Sequence, residues 1–175
     1  MHGWIEAYSD DAETWFGIVD ISVIAPQYYA LFGAIFGVRS DQFHPLAPKR
    51  GLPPDLSQPV RAALQDSLDD TYWGHSWVLW HELMAQDLDE AGQELVLHER
   101  FQGPHGDWIE ITREIDDDPF VEGKRWQKDG HTYWIDRLRR RDVVSEPNWL
   151  RLMKMMELLV ERFGDRHVRL VVWFD

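Results

Sequence analysis

The chain has no cysteine. Disulfides, thiol nucleophiles and Cys-ligated zinc or iron–sulfur sites are therefore excluded. It has no phosphate-binding glycine loop, dinucleotide fingerprint, GxSxG elbow, HExxH pair or EF-hand loop, which removes the common motif-bearing enzyme classes. Lys and Arg are missing from residues 1–38, which hold Glu6, Asp10, Asp11, Glu13 and Asp20. The opening MHGWIEAYSDD has neither a basic nor an apolar leader region, so it reads as no signal peptide and the expected compartment is the cytoplasm, that of the host if a phage encodes the chain. Residues 21–38 carry no charge, but Pro26 and Gln27 interrupt them; they read as a buried strand and a buried helix, not a membrane span.

What is present is acidic and aromatic. Lys and Arg number 18 against 31 Asp and Glu, a net charge of −13, which argues against a general nucleic-acid binder. Ten Trp in 175 residues exceed what a core alone asks for and favour a recognition role. The charge is segregated. Residues 82–122 hold thirteen acids against Arg100 and Arg113, and residues 123–141 reverse the sign with Lys124, Arg125, Lys128, Arg137, Arg139, Arg140 and Arg141. The plain reading is that the basic block lies beside the acidic one and neutralises it.

The pattern predicts a single α+β domain over 1–175, mainly antiparallel, around one sheet. Strands are expected over 3–8 and 14–23, with SDDAE as the turn between them. Pro26 is expected to open a helix over 26–37, with Gly33 admitting a second backbone and Gly37 ending it. The 39–57 loop is stiffened by Pro45, Pro48, Pro53 and Pro54. Ser57 would cap a helix over 58–68. TYWGHSWVLWHEL, residues 71–83, reads as a short strand leading into a short helix, and DLDEAGQE as an exposed acidic turn. Strands follow over 95–101 and 108–115. Asp129-Gly130 predicts a two-residue hairpin that pairs Trp126 with Tyr133 and Arg125 with Trp134. Ser145 would cap a helix over 146–163, ended by Gly164, and RHVRLVVWF then reads as an inner strand over 167–174 covered on both faces.

The segments YALFGAIFGVR, KRGLPPDLS and HSWVLWHEL, with MHGWIE at the start and VRLVVWFD at the end, resemble a family of small uncharacterised phage and prophage proteins. The resemblance covers the ends and the first half, not 90–145. It carries over no catalytic residue; it implies an accessory protein acting in phage–host conflict, often a small binder.

The candidate site gathers Arg39, Lys49 and Arg50 from the long loop with Tyr72, Trp73, His75, Ser76, Trp77 and Glu82. An Arg fork matches phosphate or carboxylate, and aromatic rings stack a base, so the expected ligand is a small nucleotide-like anion. The plainer reading pairs Arg39 with Asp41 or has it cap the first helix, leaves Lys49 and Arg50 solvated, and packs the aromatics into the core. His75, His81 and Glu82, joined by His98 or His105, fit no standard metal spacing, and His81 and Glu82, being adjacent, point about 100° apart on a helix. Neither cofactor, metal nor catalytic residue is expected. Two other functions stand beside this one. The first is an acidic inhibitor of a basic host protein, mimicking DNA with Asp87, Asp89, Glu90, Glu94, Asp116, Asp117 and Asp118. The second is a hydrolase on a nucleotide-like substrate. Membrane and direct nucleic-acid partners are not expected, and the first helix would also suit a symmetric dimer.

Overall fold

The computed structural model describes residues 1–25, 27–66, 72–115 and 121–175. Pro26 as helix opener, the end of the second helix at Leu68, the start of the aromatic stretch at Thr71 and the acidic Asp116, Asp117 and Asp118 lie outside these. The fold is α+β, as the sequence predicts, but with two antiparallel sheets where the pattern suggested one. The chain divides into two compact units, Met1–Asp87 with Val144–Asp175, and Leu88–Val143.

The first unit is built on a sheet of β1 (His2–Ser9), β2 (Thr14–Asp20), β3 (Trp73–Leu79) and β8 (Val168–Phe174), in the order β2-β1-β8-β3. Every residue of β8 is buried, as an inner strand covered on both faces requires. Its alternation assigns the faces. Val171 and Trp173 join Val60 of α2 (Gln58–Asp66) in one cluster. Phe174, pointing the other way, packs edge-on against Phe32 and Phe36 of α1 (Tyr29–Phe36) at 5.2 and 5.9 Å. Leu31 to Phe36 of α1 are all buried, whereas Tyr29 is exposed. Gly37 ends α1 at φ 67°. β2 stops at Asp20, three residues earlier than expected. The Asp20 carboxylate accepts the Ser22 N–H at 2.9 Å, and the Ile24 and Ala25 N–H groups turn back to the Ile21 carbonyl.

The short α3 (Trp80–Met84) follows β3 directly. The long helix α5 (Pro147–Phe163) buries Trp149, Leu152 and Met156. Its N-cap is Glu146 and not Ser145: the Glu146 carboxylate accepts the Trp149 N–H at 2.7 Å. Ser57 precedes α2 and its carbonyl accepts the Arg61 N–H, but its hydroxyl caps nothing. Its own N–H donates to Glu6 instead.

The second unit is a meander of β4 (Ala91–Gln102), β5 (Trp108–Glu114), β6 (Arg125–Lys128) and β7 (His131–Arg139), in the order β5-β4-β7-β6, closed by α4 (Arg140–Val144). The Asp129-Gly130 turn has φ 52° and 82°, and the hairpin pairs Trp126 with Tyr133 and Arg125 with Trp134 as predicted. β4 starts at Ala91, inside the stretch read as an acidic turn. Glu90 and Asp89 are held there by Arg140 and Arg141, so at these positions the basic block does neutralise the acidic one.

Candidate functional site

All but Lys49 of the nine residues predicted for the site fall into two clusters of the first unit. The larger lies where the 39–57 loop meets β3 and α3. Arg50 presents its fork to Glu82 in two parallel bonds of 2.8 Å each, and its guanidinium stands 5.1 Å over the Trp77 ring. Ser76, fully buried, donates to the Ala47 carbonyl at 2.5 Å and accepts the Arg50 N–H at 3.3 Å. The Gly51 N–H donates to the carbonyl of half-buried His75. Burial pulls the His75 imidazole below its ordinary pKa. Trp77 packs beside Val171 and Trp173 with Tyr72, so both rings serve the core.

The second cluster is Arg39 with Trp73. Arg39 adopts φ 62°, donates to the Asp175 carbonyl, and lies 5.0 Å from the Tyr29 ring and 5.8 Å from the Trp73 ring. Lys49, at φ 48°, is exposed. The three cations thus do not share one pocket, and the fork of Arg50 is already filled by a carboxylate. Among the described residues no group of three or more His, Asp or Glu converges as metal ligands. His81 and Glu82 do not work as a pair, since Glu82 faces Arg50 and His81 Nδ1 is buried with no partner.

Burial opposes ionisation of Glu82, but the hydrogen bonds from Arg50 and the Leu79 N–H outweigh it and hold the carboxyl below its ordinary value. A carboxylate with a depressed folded pKa stabilises the protein above the unfolded value of about 4.3, and this contribution is lost as pH falls through the folded value. Arg50→Ala is therefore expected to cost about 1–2 kcal/mol at pH 7, the pair being partly solvated. The gap from wild type should close below about pH 4. Urea unfolding at pH 7 and at pH 3.5 reads both values. A gap that is the same at the two pH values would rule out the ion pair as its source.

A site that the sequence reading missed lies on the sheet of the second unit. An open groove of about 590 Å³ is lined by Arg100, Glu110, Arg125, Trp134 and Asp136, together with Glu122 and Gly123. Strand pairing assembles it. Arg100 stands opposite Glu110 across β4 and β5, and Arg125 opposite Trp134 across β6 and β7. His98 stacks on Trp134 at 4.9 Å with the rings 5° from parallel, and the Arg125 guanidinium lies 5.8 Å from the ring centroid. Arg100 lies 4.8 Å over Trp108. Among the described residues neither Arg100 nor Arg125 forms an ion pair, unlike Arg50, Arg113, Arg137, Arg139, Arg140, Arg141 and Arg169. One signal was legible: the Asp-Gly turn places Arg125 across from Trp134. The positions of Arg100 and Glu110 need the β4–β5 and β4–β7 registers, which no local motif announces.

The opposite face of this sheet carries a self-satisfied cluster. The Glu99 carboxylate, nearly buried, accepts from His131 Nδ1 and Arg113 at 2.7 Å each and from the Tyr133 hydroxyl at 3.1 Å. These bonds tie β4, β5 and β7 together and hold the Glu99 carboxyl below its ordinary pKa. No helix among the described residues is long and apolar enough to cross a membrane. Comparison with family models, with curated proteins and with solved structures finds no match for this chain.

Proposed function

We propose that the protein is a non-enzymatic binder that sequesters a small anionic, nucleotide-like ligand, and that it does so as a phage-type accessory protein in phage–host conflict. The observation that carries this reading is the groove of the second unit. Among the described residues two guanidiniums that form no ion pair line a concave surface of about 590 Å³, Arg100 over Trp108 and Arg125 over Trp134, within the size range of small-molecule sites. A planar fork donating two parallel bonds is the side chain best matched to phosphate. The loop cluster around Arg50 supports this role less, because Glu82 already occupies its fork.

The acidic-inhibitor reading has weaker support. Of the carboxylates it would present to a basic partner, Asp89 and Glu90 are engaged by Arg141 and Arg140. The hydrolase reading has weaker support as well, since Arg50 engages Glu82 in two parallel bonds.

Two measurements test the proposal. The protein is purified from infected or expressing cells, heated, and the released small molecules are identified by mass spectrometry; an intact nucleotide in near-stoichiometric amount is expected, whereas a hydrolase would release product. The ligand is then titrated by calorimetry into wild type, Arg100→Ala and Arg125→Ala. A hydrogen bond to a charged group contributes roughly 1.5–3 kcal/mol, so each variant should bind at least about tenfold more weakly. Unchanged affinity in both variants would move the site elsewhere.

A further inference from the structure

Glu110 gives the groove a second chemistry. The other acids lining it are answered by arginines: Glu122 lies 3.3 Å from Arg137, and Asp136 accepts the Arg137 N–H at 2.8 Å and stands 3.6 Å from Arg139. Glu110 lies 3.8 Å from His98 Nδ1 and stands across the strand pair from Arg100, and its side chain is 53% exposed. It projects from β5, at one edge of the sheet, while Arg125 projects from β6 at the other edge, with Arg100 on β4 between them. Neighbouring strands stand about 4.8 Å apart, so three spacings separate the two edges by roughly 14 Å. An extended nucleotide spans a similar length, with its base at one end and its phosphate at the other.

A carboxylate accepts two parallel hydrogen bonds. Guanine is the base whose edge offers two adjacent donors, N1–H and the exocyclic amine. Adenine and cytosine place a ring acceptor beside their amino donor, and uracil flanks its one N–H with two carbonyls. Each of these would set a lone pair against the second carboxylate oxygen, and an unpaired acceptor that loses its water costs free energy. The geometry points to a guanine nucleotide as the ligand of this groove, with its base edge on Glu110 and its phosphate on Arg125. This rests on the nucleotide-binding reading above and narrows it to one base.

The test is a calorimetric panel of GMP, AMP, CMP, UMP and inorganic phosphate against the full chain and Glu110→Gln, at one fixed low salt. Half-exposed Glu110 tolerates the amide, and a matching thermal melt verifies the fold. GMP is expected to bind wild type at least tenfold tighter than the other nucleotides. In Glu110→Gln the amide replaces one acceptor by a donor, and the advantage of GMP should shrink to about threefold or less while AMP is unaffected. No GMP preference in wild type, or a preference that survives in Glu110→Gln, overturns the guanine assignment and leaves nucleotide binding standing. A uniform gain in Glu110→Gln for all four nucleotides and for phosphate means that Glu110 acts by charge alone, which also overturns it. Failure of all four nucleotides to bind wild type overturns both readings.

Discussion

Arg169→Ala is expected to remove about 3–5 kcal/mol of folding free energy, the range for stranding one partner of a buried ion pair. Arg169 sits on β8, the central strand, and is 2% exposed. Its Nε donates to Glu6 on β1 at 2.7 Å, its Nη1 to the Asp55 carboxylate at 2.7 Å, and its Nη2 to the Asp55 carbonyl at 3.2 Å. Its guanidinium lies 3.7 Å over the Trp15 ring of β2, and Trp15 Nε1 donates to Asp55 in turn. Glu6, wholly buried, uses its other oxygen to accept the Ser57 N–H at the start of α2. One side chain therefore ties two neighbouring strands to the end of the 39–57 loop. Truncation leaves the Glu6 carboxylate buried opposite a void, and whole domains have only about 5–15 kcal/mol to lose. Urea unfolding followed by circular dichroism reads the loss. The paired replacement of Glu6 by Leu and Arg169 by Met is expected to cost less than Arg169→Ala, because it removes the buried Glu6 charge along with its partner and leaves only the Ser57 N–H and Asp55 without their bonds to Glu6 and Arg169. A loss below about 1 kcal/mol in Arg169→Ala would mean that water solvates Glu6 after all.

Gly33→Ala should lower stability by about 2–3 kcal/mol, the upper part of the range for overpacking. On helix propensity alone the change would stabilise by up to about 1 kcal/mol. The tertiary contact decides the sign. A Cβ at residue 33 would lie 2.3 Å from the Ser40 carbonyl oxygen and 2.8 Å from its carbonyl carbon. Those are backbone atoms and cannot rotate aside, so α1 or the turn carrying Arg39 must shift. For a chain of this size, such a loss lowers the melting temperature by roughly 4–12 °C. A thermal melt that rises instead would mean the turn gives way freely.

Gly33 also marks the division between what could and could not be read locally. The expectation that it admits another backbone came from its place on an apolar helix, and it held; that the backbone is Ser40 follows only from the fold. The 58–66 and 147–163 helices, the Asp129-Gly130 hairpin and the inner strand 168–174 were legible because their signals are local. Those signals are a 3.6-residue stripe, a turn that needs positive φ, and an unbroken apolar run. The cap at Glu146, the early stop of β2 and the start of β4 at Ala91 were not, because each depends on which of several nearby polar groups captures a backbone N–H. The predicted loop site shows the same limit. The proximity of Arg50 to Ser76, Trp77 and Glu82 is real, but the sequence could not say that Glu82 would fill the Arg50 fork.

The sequence by itself determined the α+β class, the hairpin register, the central strand and the exclusion of cysteine chemistry. These follow from the periodicity and composition of contiguous residues. Only the tertiary structure decided that there are two sheets, that Arg169 closes on Glu6 from 163 positions away, and that Arg100, Arg125 and Trp134 line one groove, the two arginines forming no ion pair among the described residues. Strand order and the pairing of charges across it are set by which arrangement buries the most apolar surface and strands the fewest charges. That balance is struck over the folded chain as a whole, so no window of sequence contains it.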